Sequence, residues 1–155
     1  MVTASTDLNK AFERWDVVAF FADVAYWQSY VDTWAEQYRD RLAVRASARH
    51  SVAFDMRGRL RDFTRAAEST RAAIEERTFT IANDVRLIRH IKNARRRPNA
   101  FGVGLGKESR ESERKVDAAV AMVLAREARR MAIERGRLSE RNRGDEQPGV
   151  LFGFG

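Results

Sequence analysis

The chain has 155 residues, a mass of 17.8 kDa and a formal net charge of +7, with 29 Lys plus Arg against 22 Asp plus Glu. At about 100 to 200 residues per domain this is one domain, and the scaling of folded against unfolded surface lets roughly 69% of the surface be buried, which excludes whole-chain disorder. The lack of cysteine and the presence of only two histidines exclude disulfide scaffolds, thiolate zinc sites, thiol nucleophiles and a His-rich metal site, while the basic balance points to a polyanionic partner, nucleic acid first.

Behind the candidate caps Ser5 and Thr6, residues Leu8, Phe12 and Trp15 recur at i, i+4 and i+7 and predict a short first helix. Val17 to Ala22 (VVAFFA), bounded by Asp16 and Asp23, shows no alternation and reads as a strand buried on both faces, as in a parallel sheet. Trp27, Tyr30, Val31, Trp34 and Tyr38 mark one face of a second helix, and a weaker strand is expected at Leu42 to Arg45. This alternation predicts an α/β architecture with a small, mostly parallel sheet flanked by helices. Met56, Leu60, Phe63, Ala67, Thr70 and Ile74 keep the helical period through a third helix ending near Arg77, followed by an extended piece at Thr78 to Ile81. Asn83 or Asp84 is placed to cap a helix over Asp84 to Asn93 with Leu87, Ile88 and Ile91 inward. Arg95 to Gly106 (RRRPNAFGVGLG) carries turn formers and then alternating Phe101, Val103 and Leu105, the pattern of a β-hairpin. A long C-terminal helix is predicted from Glu113, capped by Ser112, to about Glu134, with Val116, Val120, Val123 and Met131 inward. Residues 1–134 form the expected domain, and 135–155 a flexible tail with an apolar LFGFG tip.

The longest apolar run, Ala118 to Ala125, is far short of the ~18 residues that span a bilayer, and MVTASTDLNK is no secretory signal, so a cytosolic chain without a membrane partner is expected. The Gly-spaced stretch after Phe101 is not a phosphate-cradling loop, because Phe101 and Glu108 stand where that loop needs Gly and Ser or Thr.

Two carboxylates stand out. Asp23 ends the buried strand, and ligands of open α/β sheets gather at the carboxyl ends of strands. Asp117 heads the apolar stripe of the last helix. Brought together, two such acids form a magnesium-type site, since that ion takes one or two carboxylates and keeps several waters. Each also has a plainer reading: a strand-end turn residue for Asp23, a favourable helix-dipole position for Asp117. Between Arg86 and Lys107 lie seven cations, Arg86, Arg89, Lys92, Arg95, Arg96, Arg97 and Lys107, and no acid, which reads as a phosphate-backbone surface. Arg57, Arg61 and Arg65 form a like-charged ridge at i, i+4 and i+8, either solvated or facing an anion. The aromatic stripe from Trp27 to Tyr38 reads as core by its helical spacing, with base stacking as the other reading.

Three blocks, Phe20 to Tyr38 (FFADVAYWQSYVDTWAEQY), Arg86 to Asn99 (RLIRHIKNARRRPN) and Phe101 to Arg130, resemble in order the C-terminal nuclease half of the large terminase subunit of tailed bacteriophages. The resemblance covers roughly residues 6–131. It implies an RNase H-like fold, acidic residues with divalent magnesium or manganese in a two-metal site, and cleavage of double-stranded DNA during genome packaging in the cytoplasm of the bacterial host. Asp23, in Ala22-Asp23-Val24-Ala25-Tyr26-Trp27, takes the place of the family's second acid, although the prolines of the Ala-Asp-Pro-Pro-Tyr-Trp-like motif are missing. Asp117, in Lys115-Val116-Asp117-Ala118, takes the place of the last acid. The family's first acid and first strands have no counterpart here, so the resemblance implies an incomplete RNase H-like fold that is inactive alone. It further implies partners such as an upstream terminase fragment, the small subunit or the portal. The strand from Val17 would then be left with an open edge, and a marginally stable or self-associating chain is expected. The alternatives are a non-catalytic DNA-binding or assembly protein and an inactive prophage remnant.

Overall fold

The extended segment from residue 17 organises the molecule. In the computed structural model, which describes residues 2–25 and 27–138, its ladder shrinks to β1 (Ala22–Asp23), paired in parallel with β2 (Ala53–Phe54) in the register Ala22↔Ala53 and Asp23↔Phe54. Upstream, Ala19 forms an isolated parallel bridge to Val44. The amide of Val44 donates to the Val18 carbonyl and that of Ala22 to the Val52 carbonyl, both at 3.0 Å. Residues 18 and 22 face the same side of an extended chain, so residues 44–54 run along one edge. A short loop interrupts that run, closed by Ala46 N–H to Ser51 O at 2.8 Å and Ser47 N–H to His50 O at 3.0 Å. No strand among the described residues pairs with the opposite edge. The predicted parallel pairing is present, but the predicted strand at Leu42 to Arg45 contributes only the Val44 bridge, and β2 lies where no strand was expected.

Helix α1 (Val2–Arg14) precedes this strand and begins before its predicted caps. Ser5 is not a cap: its Oγ accepts the Trp34 indole N–H at 3.2 Å and ties α1 to α2 (Gln28–Gln37). The Phe12 and Tyr38 rings stack at 3.6 Å between the two helices. The aromatic stripe divides: Val31 and Tyr38 are buried and Trp34 is half-buried, but Trp27 and Tyr30 are 42% and 39% exposed, so the core reading fails for those two.

Helix α3 (Leu60–Glu75) begins four residues later than Met56 because Asp55 makes the intervening turn, its Oδ1 accepting the amides of Arg57 and Gly58 at 3.0 Å each. Thr78 to Ile81 forms no strand. Helix α4 (Val85–Asn93) starts as its sequence dictates, with the Asp84 carboxylate accepting the Leu87 amide at 2.8 Å; Leu87 is fully buried and Ile88 and Ile91 half-buried. The hairpin is present as β3 (Arg95–Asn99) against β4 (Gly102–Gly106), antiparallel from Arg95↔Gly106 to Asn99↔Gly102. Gly102 has φ +129°, and a side chain there would run into the Glu68 carboxylate, whose Oε1 accepts the Val103 amide at 2.8 Å. Asn99 reaches α3 as well, donating to Thr64 Oγ1 at 3.0 Å.

Helix α5 (Asp117–Glu134) starts later than predicted, and Ser112 bonds the Arg114 amide instead of capping it. It ends in a Schellman arrangement: Arg137 N–H to Ala132 O at 2.8 Å and Gly136 N–H to Ile133 O at 2.9 Å, with Gly136 at φ +66°. Its buried Val123, Leu124, Ala128 and Ala132 meet Phe63, Ala66 and Ala67 of α3 and Phe21, Val44 and Phe54 of the sheet. Burying a side chain such as Leu124 or Phe54 contributes about 2 to 3 kcal/mol. A second cluster joins Phe12, Val31, Tyr38, Leu42 and Val52, and a third packs Leu87 of α4 on Ala118 and Met122 of α5. No helix among the described residues is long and apolar enough to cross a membrane. The expected LFGFG tip, with the rest of 139–155, lies outside the described residues.

Candidate metal and nucleic-acid site

Asp23 stands at the carboxyl end of β1, half-buried, where the two parallel strands finish. Burial is the main reason its carboxyl is pushed above the ordinary carboxylate range, and the charge of Asp55 pushes the same way. The backbone amides of Met56, Val24 and Ala25 act against both. Asp55 is there because the register sets Asp23 opposite Phe54, so the next residue of the partner strand ends at the same place. Sequence reading missed it for want of β2. The one available signal was the Asp-x-x-Gly turn that closes on its own amides.

Asp117 occupies a different setting. It is the first residue of α5 and exposed, and the adjoining turn is held against α4, where the Ala118 amide donates to Nδ1 of His90 at 3.0 Å and Asn93 donates to the Lys115 carbonyl at 3.0 Å. The carboxylate whose charge reaches Asp23 is that of Asp55. Among the described residues no three His, Asp or Glu side chains gather closely enough to hold a metal ion. Asp23 and Asp55 are the two neighbouring carboxylates that could hold a magnesium-type ion, which takes one or two carboxylates and keeps several waters.

The basic segment forms a continuous structural unit of α4 followed by the hairpin. Arg86, Arg89 and Lys92 are exposed on α4, and Arg96 and Arg97 on β3. Arg95 donates to the carbonyls of Lys92, Asn93 and Ala94, stapling the end of α4 to the first residue of β3. Arg97 donates to the carbonyls of Lys107 and Glu108, and Lys107 to that of Ser112. Carbonyls hold Arg95, Arg97 and Lys107 in place without neutralising them, so these three side chains keep their positive charge. The Arg57, Arg61 and Arg65 ridge does not survive: Arg57 lies in the turn before α3, Arg61 stands 5.0 Å from the Phe101 ring, and Arg65 approaches Glu127 at 3.6 Å.

Comparison with known proteins bears on this arrangement. The chain is similar to the gene 13 proteins of Mycobacterium phages D29 and L5. Identity is 40% and 39% respectively over 123 residues, 79% of this chain. The chain spans about a fifth of the length of these two phage proteins. No protein-family model matches it, and no solved structure does.

Proposed function

We propose that the chain is part of a phage DNA-packaging nuclease of the large-terminase type, with Asp23 and Asp117 as ligands of magnesium or manganese and the segment from Arg86 to Lys107 as the DNA-backbone surface. The carrying observation is Asp23: a carboxylate kept half-buried beside a second one, with its proton held more tightly than usual, at the strand end where an α/β sheet takes its ligand. A divalent cation would offset that repulsion. When bound it would polarise the scissile phosphate and activate water. In this reading Asp23 holds the ion with Asp55 beside it, Asp117 is the further ligand that the resemblance implies, and Arg86, Arg89, Lys92, Arg95, Arg96, Arg97 and Lys107 steady double-stranded DNA without reading its sequence. The similarity to phage proteins of much greater length supports a role within a larger assembly, whose other parts would include the packaging motor, the small subunit or the portal.

A non-catalytic DNA-binding or assembly role is the second reading, favoured by Asp117, which is exposed next to α4 and is not among the charges that reach Asp23. Plasmid nicking by the full chain with manganese or magnesium separates the two. The nuclease reading expects cleavage that Asp23→Asn and Asp117→Ala abolish while DNA affinity stays within about twofold of the parent. Absence of cleavage in both metals, with salt-sensitive DNA binding intact, supports the binding role.

A further inference from the structure

A cleft of about 240 Å³ opens between the facing sides of α3 and α5; its polar lining is Ser69 and Thr70 from the first helix and, from the second, Arg126, Arg129 and Arg130 with the carboxylates Glu127 and Glu134. Three guanidinium groups in one cleft repel each other unless anions answer them. Arg130 is answered: its Nε and Nη2 grip the two oxygens of the buried Glu127 at 2.7 Å each, and it also bonds Glu134. Arg126 is not paired with a carboxylate among the described residues. Its Nη1 donates to Ser69 Oγ at 2.9 Å and its guanidinium stands 5.5 Å from the Phe79 ring. Arg129, exposed, makes no ion pair among them either. Partial burial, then the nearby charge of Arg129, lowers the Arg126 guanidinium below its ordinary proton affinity, and the charges of Glu127 and Glu76 offset this only in part.

We propose that this cleft is a phosphate-binding site, in which Arg126 and Arg129 clasp a phosphate group with Ser69 as the hydroxyl beside it. Guanidinium groups match phosphate by paired, charge-assisted hydrogen bonds, and two of them converging with a hydroxyl complete the donor set. The volume exceeds that of a lone phosphate and leaves room for the group esterified to it. The ligand is therefore a phosphate ester, either a free one or a phosphodiester of a nucleic-acid backbone. Neither Asp23 nor Asp117 nor any hairpin residue lines the cleft, so the site does not depend on the chain being a nuclease.

Titration of the full chain with pyrophosphate at constant ionic strength, read by thermal shift and by ³¹P NMR, tests the proposal. Pyrophosphate is expected to raise the melting temperature, Arg129→Ala to weaken its binding about tenfold or more, and Arg96→Ala on the hairpin to leave it unchanged. Arg129 is exposed, so its variant folds; Arg126→Lys, which keeps the charge but loses the fork, is the second arm and should also bind more weakly. A duplex-DNA titration then identifies the source. If the site takes backbone phosphate, Arg129→Ala lowers the slope of log K against log salt by about one; an unchanged slope with weakened pyrophosphate binding assigns a free phosphate ester. No response of the parent chain to pyrophosphate, or equal affinity in Arg129→Ala, overturns the proposal. Nicking activity is not read in any arm, so failure here leaves the nuclease reading standing.

Discussion

Glu127 is the sharpest single test of how α5 is held. Its side chain is 4% exposed, its two oxygens are bound by Arg130, and Arg65 of α3 lies 3.6 Å away. Removing one partner of a buried ion pair costs about 3 to 5 kcal/mol because the other charge is stranded. Arg130 is 36% exposed and retains Glu134, so water and that second carboxylate take up part of the loss. Glu127→Ala should therefore cost about 2 to 3 kcal/mol, at or just below the low end of that range. Glu127→Gln, which keeps volume and one acceptor, should cost about 1 kcal/mol. Urea unfolding followed by circular dichroism measures both: with a slope near 2 kcal/mol per molar, Glu127→Ala lowers the midpoint by about 1 to 1.5 M. A drop smaller than about 0.3 M at unchanged slope refutes the claim that this pair fastens the helix. The same variant should bind pyrophosphate more tightly than the parent, since it removes a carboxylate from the edge of the cleft.

Gly102→Ala should destabilise the hairpin by more than about 1 kcal/mol, from its positive φ and from collision with Glu68; amide exchange at Val103 reports it, while Gly104→Ala, which meets only ordinary contacts, should show little change. Asp23 sets a pH dependence of definite sign. Its folded-state pKa is raised, so the folded chain holds that proton more tightly than the unfolded one. Its contribution is most favourable below the unfolded value of 3.8 and declines as pH rises to the folded value; Asp23→Asn should flatten that part of the stability profile in urea titrations between pH 3 and 7. The open edge of the strand from residue 17 should make the chain self-associate. Sedimentation velocity across a hundredfold concentration range is expected to show mass rising with concentration, and a single monomeric species with a cooperative, high-temperature melt would refute it.

What could be read from the sequence was the local structure. Asp84, the Leu87, Ile88 and Ile91 face and the Pro98-to-Gly102 turn are short-range signals, and each produced its element. The beginnings of α1 and α5 were misplaced because tertiary partners decided them, Ser5 being engaged by Trp34 and the α5 start held by His90, whereas the α3 start was delayed by a local turn, Asp55 closing on the amides of Arg57 and Gly58. β2 was illegible because SVAF is too short for periodicity to mark, and its pairing with residues 22 and 23 is a long-range fact. With β2 went Asp55, and with Asp55 the carboxylate that acts on Asp23. The exposure of Trp27 and Tyr30 was hidden for a similar reason, since helical spacing tells which residues share a face but not where the covering element ends.

The attachment of the hairpin to α3 governs how the basic strand can behave. Thr64, Glu68 and Arg61 meet Asn99, Val103 and Phe101, so three successive points of the hairpin tip are anchored to one helix, while Arg95 fastens the other end to α4. β3 is thus a strut between two helices, unable to swing as a free arm would. A polyanion lying along it meets charges already in position, and little ordering entropy is lost there on binding. Structures with and without such a ligand should superimpose over residues 60–75 and 95–106 to within about 1 Å.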